Sequence, residues 1–211
     1  TSLIASDKLD TKSYYFFFKH SAYIALAIAI LIIFSFLDQQ ILTKLSFILF
    51  LVAFLSLLLV PFLGIEVKGS KRWLDLIFLP RFQPVEIVKP FFIVSLSLML
   101  TIQNRRLYFK YFLSVLLILP ILMLLVYQPD IGQTLLISMV WLALIFISGI
   151  NIFIFFIFFI FVGSTVGYLV LSVTKFEYIK IRLFAFLDSS SGNNYQAEKA
   201  SDAIINGGFF G

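Results

Sequence analysis

Six apolar runs, at residues 21–37, 45–63, 84–102, 112–127, 131–148 and 150–173, dominate the pattern of the chain, and polar breaks separate them. A membrane-spanning helix needs about 20 mainly apolar residues, so the pattern predicts an all-α, polytopic integral membrane protein with about six transmembrane helices. Most breaks are short, which leaves a single membrane domain over residues 1–211. Two longer polar stretches stand out, residues 64–83 and 174–211, and chemistry concentrates in such connections. The stretch 150–161 is almost entirely Ile and Phe and specifies only lipid contact. No repeat of fixed period is visible.

Composition reinforces the class. Hydrophobic residues make up 61% of the chain and charged residues 13%, with a mean hydropathy of +1.05; soluble domains carry roughly 25% charged residues. The absence of cysteine excludes disulfides, thiolate catalysis and sulfur-ligated zinc or iron. A net charge of +5 points to anionic headgroups or an anionic lipid-linked substrate in a chain this apolar, rather than to nucleic acid.

Much of the polar chemistry lies in GSKRWLDLIFLPRFQPVEIVK, residues 69–89. Glu86 and Lys89 are three apart on a predicted helix and share a face. Pro84 suits the first helical position, where a missing N–H costs nothing. The segment then reads either as a capped helix start with a self-neutralising pair, or as a polar pocket in which Lys89, about one turn deeper, faces an anion. Arg72 and Trp73 read either as headgroup anchors or, for Arg72 together with Arg81, as guanidiniums that grip a phosphate or pyrophosphate. In QPDIG, residues 128–132, Asp130 sits where the next helix begins. It serves there as an N-cap, or faces Arg72, Arg81 or Lys89 and holds their geometry. Lys and Arg are more numerous on the side holding the termini and the 64–83 and 127–133 connections, yet QNRRLYFK at 103–110 is the densest short basic loop. The charge count leaves both orientations open. The chain opens without Met or a signal peptide and ends on AIINGGFFG, so a fragment truncated at both ends is expected.

Four segments in order, GSKRWLDL, RFQPVEIVK, QPDIGQT and NYQAEKASDAIINGGFFG, resemble the SEDS family of polytopic cell-wall glycosyltransferases, FtsW, RodA and SpoVE. The aromatic run with a basic end, YYFFFKH, leans toward the FtsW branch. The resemblance implies a fold of roughly ten helices, of which the chain is expected to lack the first and the last three, with residues 174–211 starting a large extracytoplasmic loop. It implies the bacterial inner (cytoplasmic) membrane, with Arg72 and Asp130 on the extracytoplasmic, active face and residues 103–110 inside.

The activity implied is peptidoglycan glycosyltransfer during cell division. An acceptor hydroxyl attacks the donor's anomeric carbon with inversion, polymerising lipid II, and undecaprenyl pyrophosphate leaves. Arg81 and Lys89 match cations of the family, Arg72 and Trp73 its R-W pair, Glu86 its Q-P-x-E acid and Asp130 its Q-P-D; substrate binding and cavity shape are their implied role. The catalytic Asp is expected beyond the C-terminus of this chain. Implied partners are lipid II, the undecaprenyl-pyrophosphate-linked glycan, a class B penicillin-binding transpeptidase and membrane proteins of the division machinery. No cofactor is required by the resemblance, which leaves room for a divalent cation. Lys68, Gln133 and Lys199 depart from the family pattern, as does one extra residue between Trp73 and Arg81. A lipid II flippase and an inactive fragment are the alternatives.

Overall fold

The apolar runs form six helices, α1 (Tyr15–Ser35), α2 (Gln39–Leu63), α3 (Pro84–Thr101), α4 (Leu107–Tyr127), α5 (Ile131–Ile147) and α6 (Ile152–Ser172). The structure, a computed structural model, describes residues 15–67, 70–76, 80–102, 106–177, 180, 201–202 and 204–207. Most of the fourth motif, residues 194–211, lies outside them, as do Lys68, Gly69 and residues 77–79. The expected start of an extracytoplasmic loop at 174–211 is described only at 174–177, 180, 201–202 and 204–207.

Five of the helices are long and apolar enough to cross a membrane, and α5 is shorter at 17 residues. At 1.5 Å per residue α5 rises about 26 Å, against a hydrocarbon core of about 30 Å. Helices α1 and α4 begin earlier than their apolar runs because YFFFKH and LYFKY continue the helix through basic residues. In α4 the Lys110 ammonium donates to the Leu100 carbonyl at 3.0 Å, so a long side chain satisfies the open C-terminal end of α3.

The chain divides into two units, residues 1–49 and 50–211, with α2 running across the division. In the first unit no residue of the Phe17–Ser35 span is buried. In the second, α3 packs on α4 and α5, α4 packs on α5, and α5 packs on α6. Phe92, Leu96, Ile121, Leu125, Ile137 and Ile145 form the centre of its core, joined by Leu57 and Val60 from the end of α2. Lipid is as apolar as these side chains, so close packing and polar contacts between helices must supply the specificity. Ser95, Ser114, Thr134 and Ser138 are all buried. Trp141 donates through Nε1 to Ser114 Oγ at 3.3 Å and meets the Phe158 ring edge-on at 5.3 Å, linking α4, α5 and α6.

The 64–83 connection contains an element the apolar pattern does not predict. Strands β1 (Ile65–Val67) and β2 (Ser70–Trp73) pair antiparallel, with Glu66 opposite Lys71 and Ile65 opposite Trp73. Gly64 makes the entry possible: its N–H reaches the Val60 carbonyl at 2.8 Å, and a Cβ there would lie 2.3 Å from that oxygen. Between α5 and α6 the turn requires φ of +85° at Gly149, a value that suits only glycine without strain.

Candidate functional site

The end of α2, the β1–β2 hairpin, the N-terminus of α3 and the α4–α5 turn come together at one end of the second unit. Leu74, buried at 1% exposure, anchors the hairpin, and its backbone exchanges hydrogen bonds of 2.9 and 3.1 Å with Phe82. This bridge closes the 75–81 connection on itself. It brings the Arg81 guanidinium within 3.1 Å of the Asp75 carboxylate, an exposed pair.

Arg72 points from β2 to the α4–α5 turn. Its Nε donates to the Gln128 carbonyl at 3.4 Å, its terminal nitrogen donates to the Pro129 carbonyl, and Nε lies 3.6 Å from Asp130 Oδ2. Asp130 is buried and caps α5, accepting the Gln133 backbone N–H at Oδ1 over 3.5 Å. Gln83, the N-cap residue of α3, makes no side-chain cap; its Nε2 instead donates to Asp130 Oδ2 at 3.1 Å. One carboxylate therefore joins the hairpin, α3 and α5. Both readings of Asp130 hold together, since the N-cap is also the acceptor for Arg72.

Pro84 opens α3 as the first helical residue, and Glu86 and Lys89 form the expected pair, Nζ to Oε2 at 2.6 Å. The other carboxylate oxygen, Oε1, accepts from Gln133 Nε2 at 2.9 Å. A continuous path of polar contacts thus runs from Arg72 through Asp130, Gln133 and Glu86 to Lys89. Trp73 ends β2, half-buried.

Of the six residues singled out from sequence, Arg72, Asp130, Glu86 and Lys89 belong to this path, Trp73 is the strand neighbour of Arg72, and Arg81 stands apart on Asp75. Arg72 and Arg81 thus engage different partners rather than forming one two-pronged grip. Gln83 and Gln133 join the charged groups without carrying charge themselves, and they lie inside RFQPVEIVK and QPDIGQT. A cavity of about 280 Å³ adjoins the site, lined by Glu66, Ser70, Lys71, Tyr127 and Gln128 between Pro61 and Pro129. Among the described residues no group of three His, Asp or Glu side chains is placed to hold a metal ion.

The chain matches the FtsW/RodA/SpoVE family model, described as cell cycle protein, over residues 1–211. A relative from Coxiella burnetii, named probable peptidoglycan glycosyltransferase FtsW, is 32% identical over 100% of this chain and 58% of its own length. One of the same name from Thiomonas intermedia is 33% identical over 74% of this chain and 39% of the relative. Thermus thermophilus RodA shares the fold, with a TM-score of 0.62 at 22% identity over 78% of this chain and 54% of that one. A chain from a structure describing the coordination of polymerization and crosslinking by a peptidoglycan synthase complex gives a TM-score of 0.68 at 25% identity, covering 89% of this chain and 56% of that chain. The chain thus spans between 39% and 58% of the length of these relatives. With the family match complete from end to end and the helices superposing on solved relatives, this multi-pass membrane chain belongs to the FtsW/RodA/SpoVE family of cell cycle proteins.

Proposed function

We propose that the intact protein is a peptidoglycan glycosyltransferase of cell division, and that this chain supplies the wall of its lipid II site. The relatives' shared name supports the reaction class. The observation that carries the reading is the polar path from Arg72 to Lys89 at one membrane end of a chain of this family. Idle charge is costly at the edge of the hydrocarbon region.

In this reading the acceptor sugar hydroxyl attacks the anomeric carbon of the growing chain, and undecaprenyl pyrophosphate departs with the bonding electrons. Arg81 and Lys89 grip the pyrophosphate phosphates of the bound substrate and keep that grip as the group departs, a contribution to binding. Arg72 and Asp130 hold the wall in shape, Glu86 orients Lys89, and Trp73 sits at headgroup level. The carboxylate that takes the hydroxyl proton is expected beyond Gly211, after the glycine-rich motif. The site then faces outward from the bacterial inner membrane. A class B transpeptidase is the expected partner, and the complex among the structural relatives supports that expectation.

The test is polymerisation of purified lipid II by the intact protein with its transpeptidase partner in detergent. Arg81→Ala and Lys89→Ala each abolish most of the activity in this reading. Wild-type rates in both would remove the anion site. In liposomes, movement of lipid II across the bilayer without polymer would make the protein a transporter instead.

A further inference from the structure

Gln133 is the third residue of α5, the position from which a Glu or Gln side chain often reaches back to the N-cap backbone. Here it reaches across to another helix: its Nε2 lies 2.9 Å from Oε1 of Glu86 on α3. The partner is a carboxylate, which only accepts, so the amide must present its NH2. Gln133 Oε1 is buried. The two oxygens of Glu86 are thus divided, Oε1 held by Gln133 from α5 and Oε2 by Lys89 from its own helix at 2.6 Å.

This division matters because the Glu86 side chain is 51% exposed and the Lys89 side chain 21%. An exposed i, i+3 ion pair is weak and samples many rotamers. A third contact from a separate helix removes that freedom from the carboxylate. The ammonium that follows the carboxylate is then held as well. The other charges bound into this corner are Asp130 at the start of α5 and Arg72 from β2, and these already bind each other.

We propose that Gln133 is a positioning residue for substrate binding, fixing Lys89 through Glu86 so that the ammonium is presented to the phosphate groups of the lipid-linked substrate. The proposal rests on the reading of Lys89 as an anion-binding residue given above. Nothing in it requires Gln133 to touch the substrate.

The experiment measures KM and kcat for lipid II with the intact protein and its transpeptidase partner. The variants are Gln133→Thr, Gln133→Glu, Glu86→Gln combined with Gln133→Glu, and Lys89→Ala. Loss of one charge-assisted hydrogen bond at a half-exposed site predicts that Gln133→Thr raises KM about three- to tenfold. Its kcat stays within about twofold, the signature of lost binding rather than lost chemistry. Gln133→Glu places two carboxylates together and raises KM further. Exchanging the groups rebuilds the amide–carboxylate bond in reverse with a carboxylate still near Lys89, and returns KM to within about threefold of wild type. An unchanged KM in Gln133→Thr, or no recovery in the exchanged pair, overturns the proposal. Should Lys89→Ala raise KM while Gln133→Thr does not, the proposal alone falls; should Lys89→Ala leave KM unchanged, the reading of the site falls with it. Loss of monodisperse elution in both Gln133→Thr and the exchanged pair would make Gln133 a folding residue and also overturn the proposal.

Discussion

The Arg72 guanidinium meets the Asp130 carboxylate at 3.6 Å, tying β2 to the first turn of α5. The same carboxylate caps α5 and accepts from Gln83 at the start of α3. Asp130 is 6% exposed and the Arg72 side chain 26%. Removing the acid from this arrangement takes the counter-charge from a partly buried guanidinium that keeps its carbonyl contacts, and opens a helix end at once.

Asp130→Ala therefore destabilises the protein by about 1–3 kcal/mol, combining an N-cap loss of about 1 kcal/mol with the loss of the charged acceptor shared by Arg72 and Gln83. Asp130→Asn keeps one oxygen to cap α5 in place of Oδ1, but puts an NH2 in place of Oδ2, so the acceptor for Gln83 and the charge facing Arg72 are both lost. Its cost is smaller than that of the alanine variant by the retained cap, about 1 kcal/mol. Thermal unfolding in detergent measures both. Equal losses in the two variants would mean that the contacts at Oδ2 with Arg72 and Gln83, and not the cap, hold the turn.

Arg81 and Asp75 make the opposite case. Their side chains are 53% and 45% exposed, and such a pair contributes less than about 1 kcal/mol. Asp75→Ala and Arg81→Ala should each leave thermal stability within that margin. If Arg81 binds substrate, only Arg81→Ala lowers lipid II polymerisation. A comparable fall in Asp75→Ala would assign Arg81 to holding the loop.

The contrast between these two arginines marks how far the amino-acid pattern could be followed. Apolar length alone predicts all six helices, and local spacing is sufficient for the Glu86–Lys89 pair and the Asp130 cap, since each depends on residues within one turn. The partner of Arg81 depends on the Leu74–Phe82 bridge, a register that no local pattern states. The hairpin is hidden because IEV and SKRW are short and rich in charge, which reads as a loop; Lys68 and Gly69 between them are its one turn signal. Gln83 and Gln133 carry no charge to draw notice, and their contacts join helices far apart in sequence.

Gly64 offers a test of the hairpin's entry. An added Cβ would lie 2.3 Å from the Val60 carbonyl oxygen, so Gly64→Ala must shift backbone at the end of α2. The expected cost is about 1–3 kcal/mol, with the hairpin carrying Arg72 displaced from the Pro129 carbonyl. Unfolding measurements report the first effect, and faster amide hydrogen exchange over Ile65–Val67 reports the second. Unchanged stability together with unchanged exchange would show that the close approach at Gly64 does not constrain the hairpin.

Trp141 and Ser114 test the membrane core separately from the site. The indole N–H donates to the Ser114 hydroxyl at 3.3 Å, and that hydroxyl donates to the Tyr111 carbonyl at 2.7 Å. Interhelical hydrogen bonds in membranes contribute about 0.6 kcal/mol on average and at most about 1.7. A double-mutant cycle with Ser114→Ala and Trp141→Phe should return a coupling in that range, whereas Trp141→Ala costs about 3–5 kcal/mol by emptying the contact with Phe158. A coupling indistinguishable from zero would mean that packing alone joins α4 to α5. Trp141 lies three turns along α5 from Asp130, about 16 Å at 1.5 Å per residue. Ser114→Ala should therefore lower stability while leaving the KM for lipid II unchanged, and a raised KM would show that the core bond governs the rim.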